Sequence, residues 1–180
     1  MDLARTQEEC ERRARRVAIT LVDAMETVEF AHELLQEATA NSEKPDSVVE
    51  RALTLATIVS YARPYTKTWK SQDTDGSVSQ DFLVQVSSTD RATHDKVMTM
   101  RDKTFAHSDA AYARVVFDTR PGFLATAHHT PSRVRLVQEE IEAIRELARR
   151  LMGWCIEESS RLGFPSVSAQ SARKFQSDEL

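Results

Sequence analysis

The stretch RRVAITLVDAMETVEFAHELL, residues 15–35, is the strongest indicator of fold class in this chain. It belongs to a longer segment, 7–38, that contains no glycine and no proline. Apolar residues recur in that segment at alternating steps of three and four, namely at Ala14, Val17, Leu21, Ala24, Val28, Ala31, Leu35 and Ala38. This period places them on one face of an α-helix, so we predict a long amphipathic helix over 7–38.

A second helix is predicted over 47–63. Ser47 and Glu50 have the spacing of a capping box, in which each side chain satisfies a free backbone N–H at the start of a helix. Pro64 then ends the segment. The apolar spacing predicts that this helix buries one row of side chains, made of Val49, Ala52, Leu55, Val59 and Ala62.

Two further long helices complete the pattern. After a short turn of helix near 80–86, a third long helix is predicted over 90–107. Thr130 can cap a fourth helix, with Pro131 at its first position, and the apolar period then continues over 132–161.

The segment between the third and fourth helices favours strand. Its β-branched and aromatic residues flank a Pro-Gly pair, which predicts a small β-hairpin near 112–128. We therefore predict an all-α fold, a four-to-five-helix up-and-down bundle in a single domain over 1–163. The polar, serine-rich residues 164–180 predict a disordered tail.

Composition limits the class of protein. The chain has 180 residues, of which 41% are hydrophobic and 29% charged, so it can form one domain with a core. No apolar run is long enough to span a bilayer, and the charged N-terminus does not have the pattern of a secretory signal. Cys10 and Cys155 match no metal or redox spacing. We predict a cytoplasmic protein without membrane contact and without a cofactor.

A metal site receives little support from the sequence. Glu29 and His32 form the Glu-x-x-His pair that di-iron bundles use, but such a site needs a second copy, and no other histidine has an acid three residues before it. We interpret His32 as a partly buried helix residue and predict no metal. Glycine-rich phosphate loops and the Gly-x-Ser-x-Gly nucleophile motif do not occur.

Charge is unevenly distributed. Residues 89–135 contain eight Lys or Arg and five Asp, whereas the whole chain has a net charge of -4. Four of the five histidines lie in the same window. A locally basic face can bind phosphates while the acidic remainder limits nonspecific binding.

The stretch MRDKTFAHSD, residues 100–109, lies inside this window. A histidine transfers protons near neutral pH, and a guanidinium binds phosphate through two parallel hydrogen bonds. Arg101 and His107 together therefore suit metal-free RNA cleavage, in which the 2'-hydroxyl attacks the neighbouring phosphate. On one straight helix their side chains would point about 120° apart, so a helix end between them or a second subunit is needed to bring them to one spot.

MRDKTFAHSD resembles the Arg-x(4–6)-His signature of the HEPN superfamily. The resemblance covers residues 5–162, since the long first helix, the second helix ending in YARPYT and the closing amphipathic helix also match. It implies an all-α bundle that forms a homodimer in which two motifs face each other. Many members are metal-independent endoribonucleases of toxin-antitoxin or antiphage systems.

The resemblance also implies roles for individual residues. Arg101 would hold the scissile phosphate, His107 would act as acid or base, and Asp102 would orient them. Lys103 would bind the RNA backbone, and the basic window adds His94 and Arg114 as RNA-binding residues. The partners implied are RNA, a second copy of the chain and an antitoxin protein.

Two features leave an alternative open. Members silenced by a nucleotidyltransferase often carry a tyrosine two residues after the histidine, where this chain has Asp109, and Tyr112 is out of register. Several members are binding or scaffold modules without nuclease activity. A noncatalytic dimeric partner-binding module is thus the alternative to a ribonuclease, because a fold does not fix a function.

Overall fold

A computed structural model describes residues 3–40, 47–66, 78–105, 114–117, 127–130 and 134–163. The helices are α1 (Leu3–Ala40), α2 (Val48–Ala62), the short α3 (Val78–Leu83), α4 (Ser88–Phe105) and α5 (Gln138–Arg161), and a 3-10 turn, Arg63–Tyr65, follows α2. Two strands, β1 (Arg114–Phe117) and β2 (Ala127–Thr130), form an antiparallel hairpin. The predicted tail, 164–180, lies outside the described residues.

The four long helices form an up-and-down bundle, which confirms the predicted fold class. α2 runs antiparallel to α1, because its start is hydrogen-bonded to the end of α1 (Ser47 Oγ to Glu37 Oε1, 2.7 Å) and Arg63 reaches back to Asp23 (3.2 Å). α5 runs antiparallel to α4, since Asp90 at the start of α4 pairs with Arg150 at 2.6 Å. The short connection between α1 and α2 is typical of antiparallel neighbours in such bundles.

The core lies where α1 and α5 pack along each other. Its largest fully buried side chains come from every long helix and from α3, and they include Val17, Leu34, Ile58, Leu83, Val97, Ile141, Ile144, Leu147 and Leu151. Glu158 of α5 is buried at the edge of this core and is neutralised by Arg13 of α1 at 2.7 Å and by Arg161 at 3.0 Å. A buried carboxylate without such partners would be strongly destabilising.

Helix α2 buries a different face from the predicted one. Of the predicted row, Ala62 is buried, but Val49 and Leu55 are 53% and 40% exposed. The buried face instead carries Glu50, Thr54, Thr57, Ile58 and Tyr61. The polar members can be buried because they are hydrogen-bonded, as in the bond that Thr57 Oγ1 donates to the Leu53 carbonyl at 2.8 Å.

The predicted boundaries differ from the structure mainly at α5. That helix begins at Gln138 and not at 132, so Thr130 is not its N-cap but the last residue of β2. The Glu140 carboxylate accepts the Val137 N–H at 3.0 Å and thereby fixes the helix start. At the start of α4, Ser87 Oγ accepts the Asp90 N–H at 3.1 Å, which caps that helix.

Candidate functional site

The last described turn of α4 carries three of the predicted site residues, Arg101, Asp102 and Lys103. Arg101 lies seven residues after His94, which is almost two whole turns of about 100° per residue, so both side chains leave the same side of the helix. That side faces the bundle, because His94 and Val97 are buried there. Arg101 therefore lies on the inward side of α4, about one turn before the helix ends at Phe105.

The guanidinium of Arg101 is accessible. Its side chain is 36% exposed, and one of its nitrogens donates a hydrogen bond to Asp102 Oδ1 at 2.8 Å. Asp102 is 66% exposed, and Lys103 is exposed as well. An ion pair at a protein surface contributes only about 0–1 kcal/mol, so Asp102 orients the guanidinium without locking it.

Arg135 is a third cation near this end of α4, after Arg101 and Lys103. It directly precedes Leu136, which lines the same groove between α4 and α5 as Met100, the residue before Arg101. Its Nε donates to the buried carboxylate of Glu50 at 3.1 Å. The sequence pattern predicted a capping role for Glu50 and no role for Arg135, although Arg135 lies in the basic window 89–135.

The groove itself is mostly apolar and has a volume of about 290 Å³. An ion pair between Lys96 of α4 and Glu140 of α5 lies at its edge. Its apolar lining consists of Ala92, Val97, Met100, Leu136, Ala143 and Ile144. The motif turn is thus next to an apolar concavity and to a positively charged side chain from a different part of the chain.

His94 is not available for contact with RNA, which corrects its predicted role. It is 6% exposed and its Nδ1 is hydrogen-bonded to the Tyr61 hydroxyl at 3.0 Å. The Tyr65 ring packs edge-on against the imidazole, with ring centroids 4.5 Å apart. Two aromatic side chains from the end of α2 and the turn after it therefore enclose His94 in the interior.

The enclosure of His94 makes stability dependent on pH. Burial lowers the pKa of the imidazole, with smaller effects of Asp95, which raises the pKa, and Arg91, which lowers it. Above about pH 6.5 the ring is neutral in both folded and unfolded chains; as the pH falls below that value, the unfolded chain takes up the proton first. We therefore expect the free energy of unfolding to decrease from about pH 8 to about pH 5.

Urea unfolding of wild type and His94→Phe at both pH values tests this expectation. The phenyl ring keeps the aromatic packing and removes the titrating group, so the variant should lose less stability between the two pH values. An equal loss in both proteins would contradict the assignment.

Of the remaining predicted residues, only Arg114 lies within the described part of the chain. His107, Asp109 and Tyr112 lie outside the described residues. Arg114 begins β1, where its backbone pairs with Thr130. The structure thus brings Arg101, Asp102 and Lys103 into one turn, and the predicted pairing of Arg101 with His107 stays a prediction.

Metal-binding clusters and membrane spans are not found in the described part of the chain. Within it, His, Cys, Asp and Glu side chains form no group of three that could hold a metal ion. His32 is exposed and lies 2.9 Å from Gln36 Nε2, so its predicted partial burial was wrong. None of the helices in the described ranges is both long and apolar enough to cross a membrane.

The chemistry open to this end of the bundle is anion binding. Arg101, Lys103 and Arg135 supply positive charge, Asp102 and Glu50 orient two of the guanidinium groups, and the groove beside Met100 supplies apolar surface. Comparisons of the chain with protein-family profiles, with curated proteins and with solved structures found no match.

Proposed function

We propose that this protein is a metal-independent endoribonuclease of toxin-antitoxin or antiphage type that acts in the cytoplasm as a homodimer. The observation that carries the proposal is the position of Arg101, accessible on the motif turn of α4 and oriented by Asp102. The resemblance of MRDKTFAHSD to the HEPN signature supports it from the sequence side.

In the proposed reaction the 2'-hydroxyl of the RNA attacks the adjacent phosphorus. A P–O2' bond forms, the P–O5' bond breaks, and the products are a 2',3'-cyclic phosphate and a free 5'-hydroxyl. His107 transfers the proton that the attacking oxygen loses or the one that the leaving oxygen gains. Arg101 stabilises the charge that builds on the phosphate oxygens.

The other predicted residues have supporting roles in the proposal. Lys103 and Arg114 bind the RNA backbone, and Asp102 orients the guanidinium of Arg101. Arg135 joins this set, because the buried carboxylate of Glu50 holds it near the same groove. Phosphate contacts of this kind position RNA without reading its sequence.

The dimer is part of the proposed mechanism. His107 follows Arg101 by six positions, so on a continuous helix the two side chains would diverge by about 120°. A two-fold dimer supplies both groups to one shared groove from two copies of the motif. An antitoxin protein that covers this groove would silence the enzyme.

An RNA-cleavage assay in excess EDTA tests the proposed function. Purified wild type should cut RNA and leave 2',3'-cyclic phosphate ends, which mass spectrometry of the fragments identifies. Cleavage that stops in EDTA and returns with added metal would contradict a metal-independent reaction. Expression without the antitoxin should slow cell growth.

A noncatalytic dimeric module is the second candidate, and the outward face of α2 favours it. That face exposes Val48, Ala52 and Leu55, and exposed apolar surface of this kind marks protein–protein contact. A purified dimer that cuts no RNA, with or without metal, would decide for this candidate.

A further inference from the structure

The outer face of α2 is apolar, although the helix belongs to a bundle that could bury such a face. Val48 is 71% exposed, and the face continues through exposed Ala52 and Leu55 to half-buried Val59. The two charged residues within α2 lie outside this row, since Glu50 is buried and the exposed Arg51 flanks the row on one side. We call Val48, Ala52, Leu55 and Val59 the α2 stripe.

The spacing of the α2 stripe is that of a helix–helix seam. Steps of four, three and four keep its residues on one line of the helix, as a and d positions do in a coiled coil. The order four, three, four is the same in both directions. A stripe with this symmetry matches a second copy of itself when the two helices run antiparallel.

Side-chain size follows the same symmetry. In an antiparallel pair centred between Ala52 and Leu55, each Val48 lies opposite a Val59, and each Ala52 lies opposite a Leu55. The large leucine thereby packs opposite the small alanine, and this alternation lets two opposed rows fill space without clashes. The α2 stripe is therefore self-complementary in both spacing and volume.

We propose that the α2 stripe is the interface through which two copies of this protein associate, as an antiparallel pair of α2 helices about a two-fold axis between Ala52 and Leu55. An interface of this type is isologous, because the same patch serves both subunits. The apolar side chains that each isolated protomer exposes are then removed from water.

The position of the axis also bears on the motif, a step that rests on the proposed function. α4 runs antiparallel to α2, and Tyr61 is hydrogen-bonded to His94. Seven residues onward along α4 is Arg101, and seven residues back along α2 is Thr54, which lies beside the proposed axis. Measured along the direction of the paired α2 helices, both copies of Arg101 therefore lie at about the level of the two-fold axis.

Disulfide trapping tests the pairing. In a Cys10→Ser background, the double variant Val48→Cys with Val59→Cys should form a covalent dimer on mild oxidation, because the thiol introduced at position 48 of one copy would face the thiol introduced at position 59 of the other. Within one helix these positions are about 16 Å apart, too far for a disulfide, which needs Cα atoms within about 7 Å.

The two single variants, V48C and V59C, are matched controls. In the antiparallel pair the two copies of either position are also about 16 Å apart, so neither single variant should cross-link. Efficient cross-linking of the single variants would show a parallel arrangement and overturn the proposal. Failure of the double variant to form a dimer would overturn it as well.

Light scattering of charge variants gives an independent test. Leu55→Glu should convert the dimer to a folded monomer, whereas Val84→Glu, at a site that is 82% exposed outside the α2 stripe, should leave a dimer. Wild type that stays monomeric at high concentration, or L55E that stays dimeric, would defeat the pairing. A trapped dimer that cuts no RNA would instead defeat the proposed function and leave the pairing intact.

Discussion

Replacement of Arg101 by alanine is expected to lower the rate of RNA cleavage about 100-fold or more. The guanidinium would neutralise charge that develops on the phosphate in the transition state, and alanine offers no substitute. His107→Ala should cause a loss of similar size, because a positioned proton-transfer group typically contributes about 100-fold or more. Initial rates on a labelled RNA, measured in EDTA, give both values.

Two controls separate a loss of chemistry from a loss of structure. Arg101→Ala should unfold at nearly the same temperature as wild type, because its side chain is partly exposed at a helix end. Arg15→Ala removes an 80% exposed arginine from a distant part of the sequence and should leave cleavage unchanged. An Arg101→Ala protein that is folded and fully active would remove Arg101 from the mechanism.

Ile58→Ala should destabilise the protein by about 2–5 kcal/mol, whereas Leu55→Ala should cost less than about 1 kcal/mol. Ile58 is completely buried, so its truncation leaves a cavity, but Leu55 faces outward on the same helix. Urea unfolding of the two variants measures the difference. It tests directly which face of α2 packs against the bundle.

Urea unfolding at two protein concentrations distinguishes a loss of packing within one protomer from a loss of association between protomers. A penalty for Leu55→Ala that grows with concentration reports the association of two α2 helices and not the packing of one protomer. A penalty that is as large as that of Ile58→Ala at every concentration would mean that Leu55 is buried within the protomer. That result would contradict the outward orientation of Leu55 on α2.

The RNA and association experiments together distinguish the two candidate functions. A ribonuclease predicts that Arg101→Ala loses cleavage while the dimer persists. A partner-binding module predicts no RNA cleavage by wild type or by Arg101→Ala. Disruption of the α2 stripe is expected to abolish dimerisation under either function. The two sets of residues lie on different helices, so their effects can be measured separately.

The helices and their order could be predicted from local sequence. The apolar period over 7–38, the absence of glycine and proline there, and the Ser47 cap are local signals, and the structure confirms the elements they predict. A hairpin near 112–128 was likewise predicted from its residues. β1 (Arg114–Phe117) lies within that range, whereas β2 (Ala127–Thr130) extends two residues beyond it. Helix formation depends on neighbours three or four residues away, which a sequence shows directly.

The choice of side chains that face inward depends on how the helices pack. These side chains could therefore be identified only from the tertiary structure. The sequence indicated an apolar row on α2 but could not show that Val49, Ala52 and Leu55 point to solvent. On the other face, the buried Tyr61 finds its hydrogen-bond partner on α4. His94 was predicted to bind RNA, and its burial could not be read from the sequence because it depends on Tyr61, 33 residues away. Arg135 and Glu50 are 85 residues apart. Contacts over such separations arise from the packing of whole helices, and no local pattern in the chain records them.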